Sequence, residues 1–333
     1  MAENNNVLVT PETYIRAECD RQFGTIVKTA GGLNRFYHLR NVTPLDMQPI
    51  IRMNRDTLYS QSVVDTSKGA TITVPEFPRD RYVSVELVDN DHYCPKVIYE
   101  AGTYELPHDT KYLGLFVRIQ VFNPIDEDEL DLVHKLQDQF SINANSADPL
   151  PEFKWDEESL QALTLQYQKD AAQYSSVTGM MGPRGQVNED TRHIVVATGW
   201  GLLPEWDAIY LNYDGDHNYN ICHKATYDVP DNEAFWSITV YNSNGYMEKE
   251  KNIVNSSNVN LNSDGTFTVY FGSQENCGDV PNRVDVTEGW NFAMRIYRPG
   301  KSVLNGTYKL PDAVPVQWFI WWSLYWFTPK RYL

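Results

Sequence analysis

Asn54-Arg55-Asp56-Thr57-Leu58-Tyr59 sets an amide, a guanidinium, a carboxylate, a hydroxyl and a phenol within six consecutive positions. Such density at the entrance to a strand can hold a polar ligand, with Asn54, Arg55 and Tyr59 binding and Asp56 acting as a carboxylate base. The same residues also make an ordinary local network in which Asp56 accepts turn hydrogen bonds, Arg55 pairs with it and Tyr59 packs in the core. Asp89-Asn90-Asp91-His92-Tyr93 ends a strongly apolar strand and presents a carboxylate beside an imidazole. That is the minimum for general base chemistry near neutral pH, so His92 joins Asp56 as a candidate catalytic residue.

The other histidines offer less. His193 and His223 read as single imidazoles in or beside strands, and no His-x-His or His-x-x-x-His spacing occurs, so no metal is expected. Asp214-Gly215-Asp216-His217-Asn218-Tyr219-Asn220 alternates oxygen side chains as calcium loops do. It lacks glycine at the sixth position and a glutamate at the twelfth, where Tyr219 and Ala225 stand, and reads as a hydrated hairpin loop. The chain has no Gly-x-Ser-x-Gly elbow, P-loop or dinucleotide fingerprint, and no cofactor is expected.

These groups need elements to position them. Thr10-Pro11-Glu12 is a helix start, followed by Tyr14, Ile15, Phe23, Ile26 and Val27 at helical spacing until Gly31-Gly32. From Thr57 the period changes to two, in Thr71–Val74, Tyr82–Val88, Lys96–Tyr99 and Tyr112–Phe122. A second helix opens at Pro124 with acids at its positive end, and a third is predicted over Asp156–Tyr174. Gly179-Met-Met-Gly-Pro-Arg-Gly is a loop. After Arg192 the strand rhythm returns, clearest in Phe235–Tyr241, Thr266–Phe271 and Asn291–Tyr297, with Ser263-Asp264-Gly265 as a turn signal.

The predicted organisation is therefore a helical segment over 1–45, a first β-sandwich over 46–142 ending in a helix, a helical connector over 143–191, a second sandwich over 192–312 and an aromatic tail over 313–333. A chain of 333 residues suffices for two such domains, and its 21 Tyr and 9 Trp suit strands. The formal charge of -16 repels phosphate backbones, so nucleic acid is not an expected partner. Cys19, Cys94, Cys222 and Cys277 lie far apart and read as free thiols. With no basic-then-apolar leader visible, a cytoplasmic location is expected, and the glycosylation-type triplets at Asn41, Asn255 and Asn305 carry no weight there.

Several blocks in order resemble a known pair of families, the domains of unknown function 1254 and 1214. For the first they are Asn54-Arg55-Asp56-Thr57-Leu58-Tyr59-Ser60, Arg81–Val85 and Lys135–Phe140; for the second, Gly199-Trp200-Gly201-Leu202-Leu203-Pro204, Phe235–Asn242, Gly289-Trp290-Asn291-Phe292 and Arg295–Pro299. Asn282-Arg283-Val284-Asp285 departs from the apolar, Pro-containing stretch of the second family. The resemblance implies a mainly β fold, with a small immunoglobulin-like sandwich, a helical insert and a larger jelly-roll-like sandwich. It implies no reaction.

Two functions are carried forward. The first is binding or conversion of a small polar ligand, sugar-like or a carboxylate, in a cleft between the domains, with Trp200, Tyr241 and Asn242 of the second domain facing Asn54, Arg55, Asp56 and Tyr59. The alternative is a non-enzymatic assembly protein whose aromatic C-terminus makes the subunit contact of a homo-oligomer. Val314 to Phe327 spans about 21 Å as a helix, short of a bilayer core of about 30 Å, so no transmembrane span is expected. Its Trp318, Trp321, Trp322, Tyr325 and Trp326 recur at helical spacing and need cover. Deleting 313–333 is expected to give aggregation if the tail packs internally or a smaller assembly if it is an interface; light scattering of the truncated protein distinguishes them, and a stable protein of unchanged size contradicts both.

Overall fold

The computed structural model describes residues 6–48, 51–124, 126–174, 176–214 and 218–316. The tail proposed as a contact lies beyond 316, and the centre of the Asp214–Asn220 loop, 215–217, is likewise outside the described residues. In chain order the first part holds helix α1 (Tyr14–Ala30), strands β1 (Tyr37–His38), β2 (Thr57–Asp65), β3 (Ala70–Val74), β4 (Val83–Asp89), β5 (Val97–Ile98), β6 (Gly102–Glu105) and β7 (Tyr112–Gln120), helix α2 (Glu127–Gln137) and β8 (Ser141–Ala144). Helices α3 (Glu157–Asp170) and α4 (Arg192–Gly199) follow. The last part holds β9 (Ala208–Asp214), β10 (His223–Tyr227), β11 (Trp236–Tyr241), β12 (Ile253–Asn255), β13 (Phe267–Phe271), α5 (Gln274–Cys277), β14 (Arg283–Val284), β15 (Asn291–Tyr297), α6 (Lys301–Leu304) and β16 (Val314–Pro315).

Sequence signals fix many boundaries. Gly31 closes α1 in the left-handed region at φ 72°, returning its N–H to Val27 O. Asp126 caps α2, accepting the N–H groups of Asp128 and Glu129, and Asp156 caps α3 through Ser159. Gly265 turns into β13 at φ 84°.

The strands form sheets ordered β1-β2-β7-β4-β5, β6-β3-β8, β12-β11-β15-β9 and β14-β13-β10-β16. Pairing is antiparallel except between β13 and β14. Alternation assigns the faces. Leu58, Val85, Leu87, Leu115, Val117 and Ile119 of the five-stranded sheet pack on Ala70, Ile72 and Val74 of β3 and on Val133 and Leu136 of α2. Trp236, Ile238, Val240, Phe292, Met294 and Ile296 pack on Tyr227, Phe267 and Phe271 of the fourth sheet. The opposite faces of the two central sheets meet each other, so β4, β7, β11 and β15 are buried at every position. One end of the five-stranded sheet's inner face is covered instead by helices: Val63, Val88 and Phe116 contact Phe23 and Ile26 of α1 and Ile194 and Val195 of α4.

The sequence reading is corrected at two places. The segment after Arg192 is helix α4, not strand, and His193 lies on it with its ring 4.3 Å from that of Tyr167. The β-branched run Ile194-Val195-Val196 has strand propensity, but its burial against α1, α3 and the sheet decides the conformation. Cys222 and Cys277 are not free thiols but a disulfide across 55 residues, while Cys19 and Cys94 stay reduced and buried. Among the described residues no helix is long and apolar enough to cross a membrane. Cross-linking a loop of that length restricts the unfolded chain by about 4 kcal/mol. Cys277→Ser is expected to lower the unfolding free energy by about 2–4 kcal/mol in urea titrations without reductant; an unchanged midpoint would rule out the bond.

Candidate functional site

The two central sheets meet through a polar layer. On the first sheet, Ser84 pairs with Arg118 and Glu86 with Phe116, which sets Glu86 and Arg118 diagonally on the inner face. The Arg118 guanidinium donates to Glu86 Oε2 at 2.7 Å and to Gly201 O at 3.2 Å, and lies 5.6 Å from the centre of the Tyr59 ring. Tyr82, Ser84 and Glu86 alternate along one strand face; the Tyr82 and Ser84 hydroxyls lie close to each other, and neither they nor Glu86 Oε1 has a partner in full hydrogen-bond geometry among the described residues. Burial, opposed by Arg118, pushes the Glu86 carboxyl up to about 7.

Facing them, β15 presents Arg295 and Tyr297, β9 presents Tyr210, and β11 presents Ser237, Thr239 and Tyr241. Arg295 is 3% exposed and donates to Arg52 O at 2.6 Å, to the Tyr241 hydroxyl at 2.7 Å and to the Thr239 hydroxyl at 3.2 Å. Among the described residues no carboxylate contacts it. Asp56, fully buried, accepts from Ser237 Oγ at 2.6 Å, while its Oδ1 has no partner in hydrogen-bond geometry. Burial raises the Asp56 carboxyl, against the pull of Ser237, Arg295 and Asn255. Asn54 Nδ2 donates to the Tyr59 hydroxyl at 2.8 Å and to the Tyr297 hydroxyl at 3.3 Å, so one amide joins the domains. Tyr82 packs on Phe235 and Tyr297, each 5.3 Å between ring centres.

Of the residues singled out by sequence, the structure gathers Asn54, Asp56, Tyr59 and Tyr241 in this layer. Arg55 lies at its edge, pairing with exposed Glu250 at 2.8 Å. Asn242 sits outside, where its amide donates to Glu248 at 2.6 Å and lines a shallow depression of about 420 Å³ with Ser243, Asn244 and Thr287. Asp56 and His92 are not brought together. Asp56 O holds Val121 N–H just past β7, whereas the His92 loop leaves β4 opposite Leu113, eight residues back along β7, roughly 26 Å at 3.3 Å per residue.

His92 is buried at φ 60°, its Nε2 accepting the Gly201 N–H at 3.0 Å, its ring 5.5 Å from that of Trp200. Burial, aided by Arg192, lowers its pKa to about 3, so the imidazole is neutral at physiological pH. Its occupied Nε2 fixes the Trp200-Gly201 bend and offers no base. Trp200 packs among Phe23, Phe116 and His92. Among the described residues no group of His, Cys, Asp and Glu is placed to hold a metal.

Glu86, Arg118, Tyr210, Arg295 and Tyr297 were missed by the sequence reading. Their signal was a charge amid apolar strand residues, as in Val85-Glu86-Leu87, Val117-Arg118-Ile119 and Met294-Arg295-Ile296. Because the folded pKa of Glu86 exceeds its unfolded value, the folded state binds the extra proton, and stability falls as pH rises through about 4.5 to 7. Glu86→Gln removes this term: the wild-type minus variant unfolding free energy is expected to drop by about 2–3 kcal/mol between pH 4.5 and 7.5 in urea titrations. A difference independent of pH would assign Glu86 an ordinary carboxylate pKa.

The family model of a protein of unknown function, DUF1254, matches residues 33–99, and that of a protein of unknown function, DUF1214, matches 206–301. A crystal structure of a protein from Vibrio parahaemolyticus shares 17% identity at TM-score 0.70, over 92% of this chain and 98% of that one. A second, of an uncharacterised protein from Burkholderia cenocepacia, shares 15% identity at TM-score 0.54, over 92% of this chain and 88% of that one. Both show likeness of fold. Among curated proteins nothing matches. The two domain models thus match in the order the resemblance implies, domain of unknown function 1254 before domain of unknown function 1214, in a chain whose fold is shared with both crystal structures.

Proposed function

We propose that the chain binds a small carboxylate-bearing molecule in the polar layer between its central sheets. The observation that carries this is Arg295: a guanidinium buried among neutral acceptors, with no carboxylate against it among the described residues. Buried arginines are ordinarily paired, because an uncompensated charge in a low-dielectric interior is costly. A ligand carboxylate on Arg295 would supply a direct counter-charge, where buried Asp56 acts on it only from beyond ion-pair distance, and the Tyr241 and Tyr210 rings flank it. The unpartnered Asp56 Oδ1 and the hydroxyls of Ser84 and Tyr82 offer hydrogen bonds to polar groups on the remainder of the ligand. Glu86, with its carboxyl near neutrality, is the group suited to exchange a proton with a bound molecule, which is how conversion would follow from binding.

A thermal-shift screen with small mono- and dicarboxylates, including sugar acids, tests the proposal. A ligand at 100 times its Kd stabilises the folded state by about 2.7 kcal/mol, which moves the midpoint by several degrees. The shift is expected in the wild type, absent in Arg295→Gln and reduced in Tyr241→Phe, which keeps the ring and removes one contact of the guanidinium. No carboxylate raising the midpoint, or an equal rise in both variants, would overturn it.

A further inference from the structure

We infer that Asn305 is an N-glycosylation site and that Asn255 is not, although both begin an Asn-x-Ser/Thr triplet. The chain carries three such triplets, Asn41-Val42-Thr43, Asn255-Ser256-Ser257 and Asn305-Gly306-Thr307. Their weight depends on compartment, expected to be cytoplasmic because no leader is visible in the sequence, where the four cysteines also read as free thiols. Cys222 and Cys277 are instead joined. Structural disulfides persist where the surroundings are oxidising, which is also where asparagine acquires glycans. The two remaining thiols fit that setting: Cys19 and Cys94 are buried and burial raises both pKa values, which withholds the thiolate needed for disulfide exchange.

The structure then separates the triplets. Asn255 ends β12 at 4% exposure, its Oδ1 accepting the N–H groups of Ser257 at 2.9 Å and Asn258 at 3.2 Å, and its side chain faces Asp56 in the polar layer. A glycan there would have to fill the space between the sheets. Asn41 is exposed as well, and its Thr43 hydroxyl donates to Asn54 O at 2.9 Å much as the Thr307 hydroxyl donates to Ser302 O at 3.0 Å, so hydroxyl bonding does not separate these two triplets. Asn305, Gly306 and Thr307 are all exposed, just past α6. Asn305 Oδ1 accepts the Thr307 hydroxyl at 2.7 Å and the Thr307 N–H at 3.0 Å, while Nδ2 makes no hydrogen bond among the described residues. The turn thus holds the amide in place through its oxygen and leaves its nitrogen to solvent.

The transfer draws on a polyprenyl-pyrophosphate-linked oligosaccharide and an oligosaccharyl transferase. A bond forms between Asn305 Nδ2 and the sugar anomeric carbon, the bond from that carbon to the pyrophosphate oxygen breaks with its electron pair leaving on the pyrophosphate, and Nδ2 gives up one proton. Peptide mass mapping of the full chain purified from its natural source tests the site, before and after peptide N-glycosidase treatment in heavy-oxygen water. The expected result is labelled aspartate at 305, unmodified Asn255, and a Cys222–Cys277 peptide pair in the non-reduced digest. An Asn305 peptide found only unmodified, or a glycan on Asn255, would overturn the inference. In eukaryotic secretory expression, Asn305→Gln and Thr307→Val should each remove one glycan and Ser257→Ala none; equal glycan numbers in all three would also overturn it.

Discussion

Burying β4, β7, β11 and β15 on both faces is the constraint to which the rest of the molecule answers. One face of each strand enters an apolar core; the other carries Glu86, Arg118, Ser237 and Arg295 into a place closed to bulk water. Those groups must find partners across the domain boundary, and several do: Asp56 with Ser237, Asn54 with Tyr297, Tyr241 with Met53 O and Arg295 with Arg52 O. Removing one member of a buried charged pair leaves the other uncompensated at about 3–5 kcal/mol. The relative placement of the two sheet pairs is accordingly set by polar matching at the centre and by apolar packing outside it.

The elements were legible where local chemistry decides them. Gly31, Asp126, Asp156 and Gly265 act within a few residues of themselves, and their roles follow from the chain alone. The apolar alternation of β4, β7 and β15 identified strands, but it hid which face was inward, because both are. Helix α4 was misjudged because Ile194, Val195 and Val196 favour strands until α1 and α3 supply a surface for them. The bond between Cys222 and Cys277 joins β10's entry to α5, and a pairing over 55 residues leaves no local trace.

The candidate site was half legible for the same reason. Asn54, Asp56 and Tyr59 are contiguous, so their chemistry is visible as a motif. Their partners Arg118, Tyr210, Arg295 and Tyr297 arrive from three distant strands, β7, β9 and β15, each contributing only one or two polar residues to this layer. His92 shows the converse error, since a carboxylate next to an imidazole in sequence says nothing about where the ring points. Its loop turns at φ 60° and buries the ring, so that Gly201 gives its N–H to His92 and its carbonyl to Arg118. That one residue ties the helical cluster to the polar layer, and the imidazole works as a fixed acceptor.

The charges of the layer do not cancel symmetrically. Arg118 and Arg295 cannot lose their protons at any pH the fold survives. Glu86 and Asp56 can gain them, and burial drives both carboxyls upward, Glu86 to about 7. Nearby Asp207, which accepts the Tyr99 hydroxyl at 2.5 Å, is raised by burial as well. Around neutrality the cations are therefore permanent while Glu86 is partly protonated, and the layer drifts toward positive charge inside a protein whose formal charge is -16. An anion entering the layer reverses it: its charge lowers the cost of Arg295 and raises the Glu86 carboxyl further, so that binding favours proton uptake at Glu86.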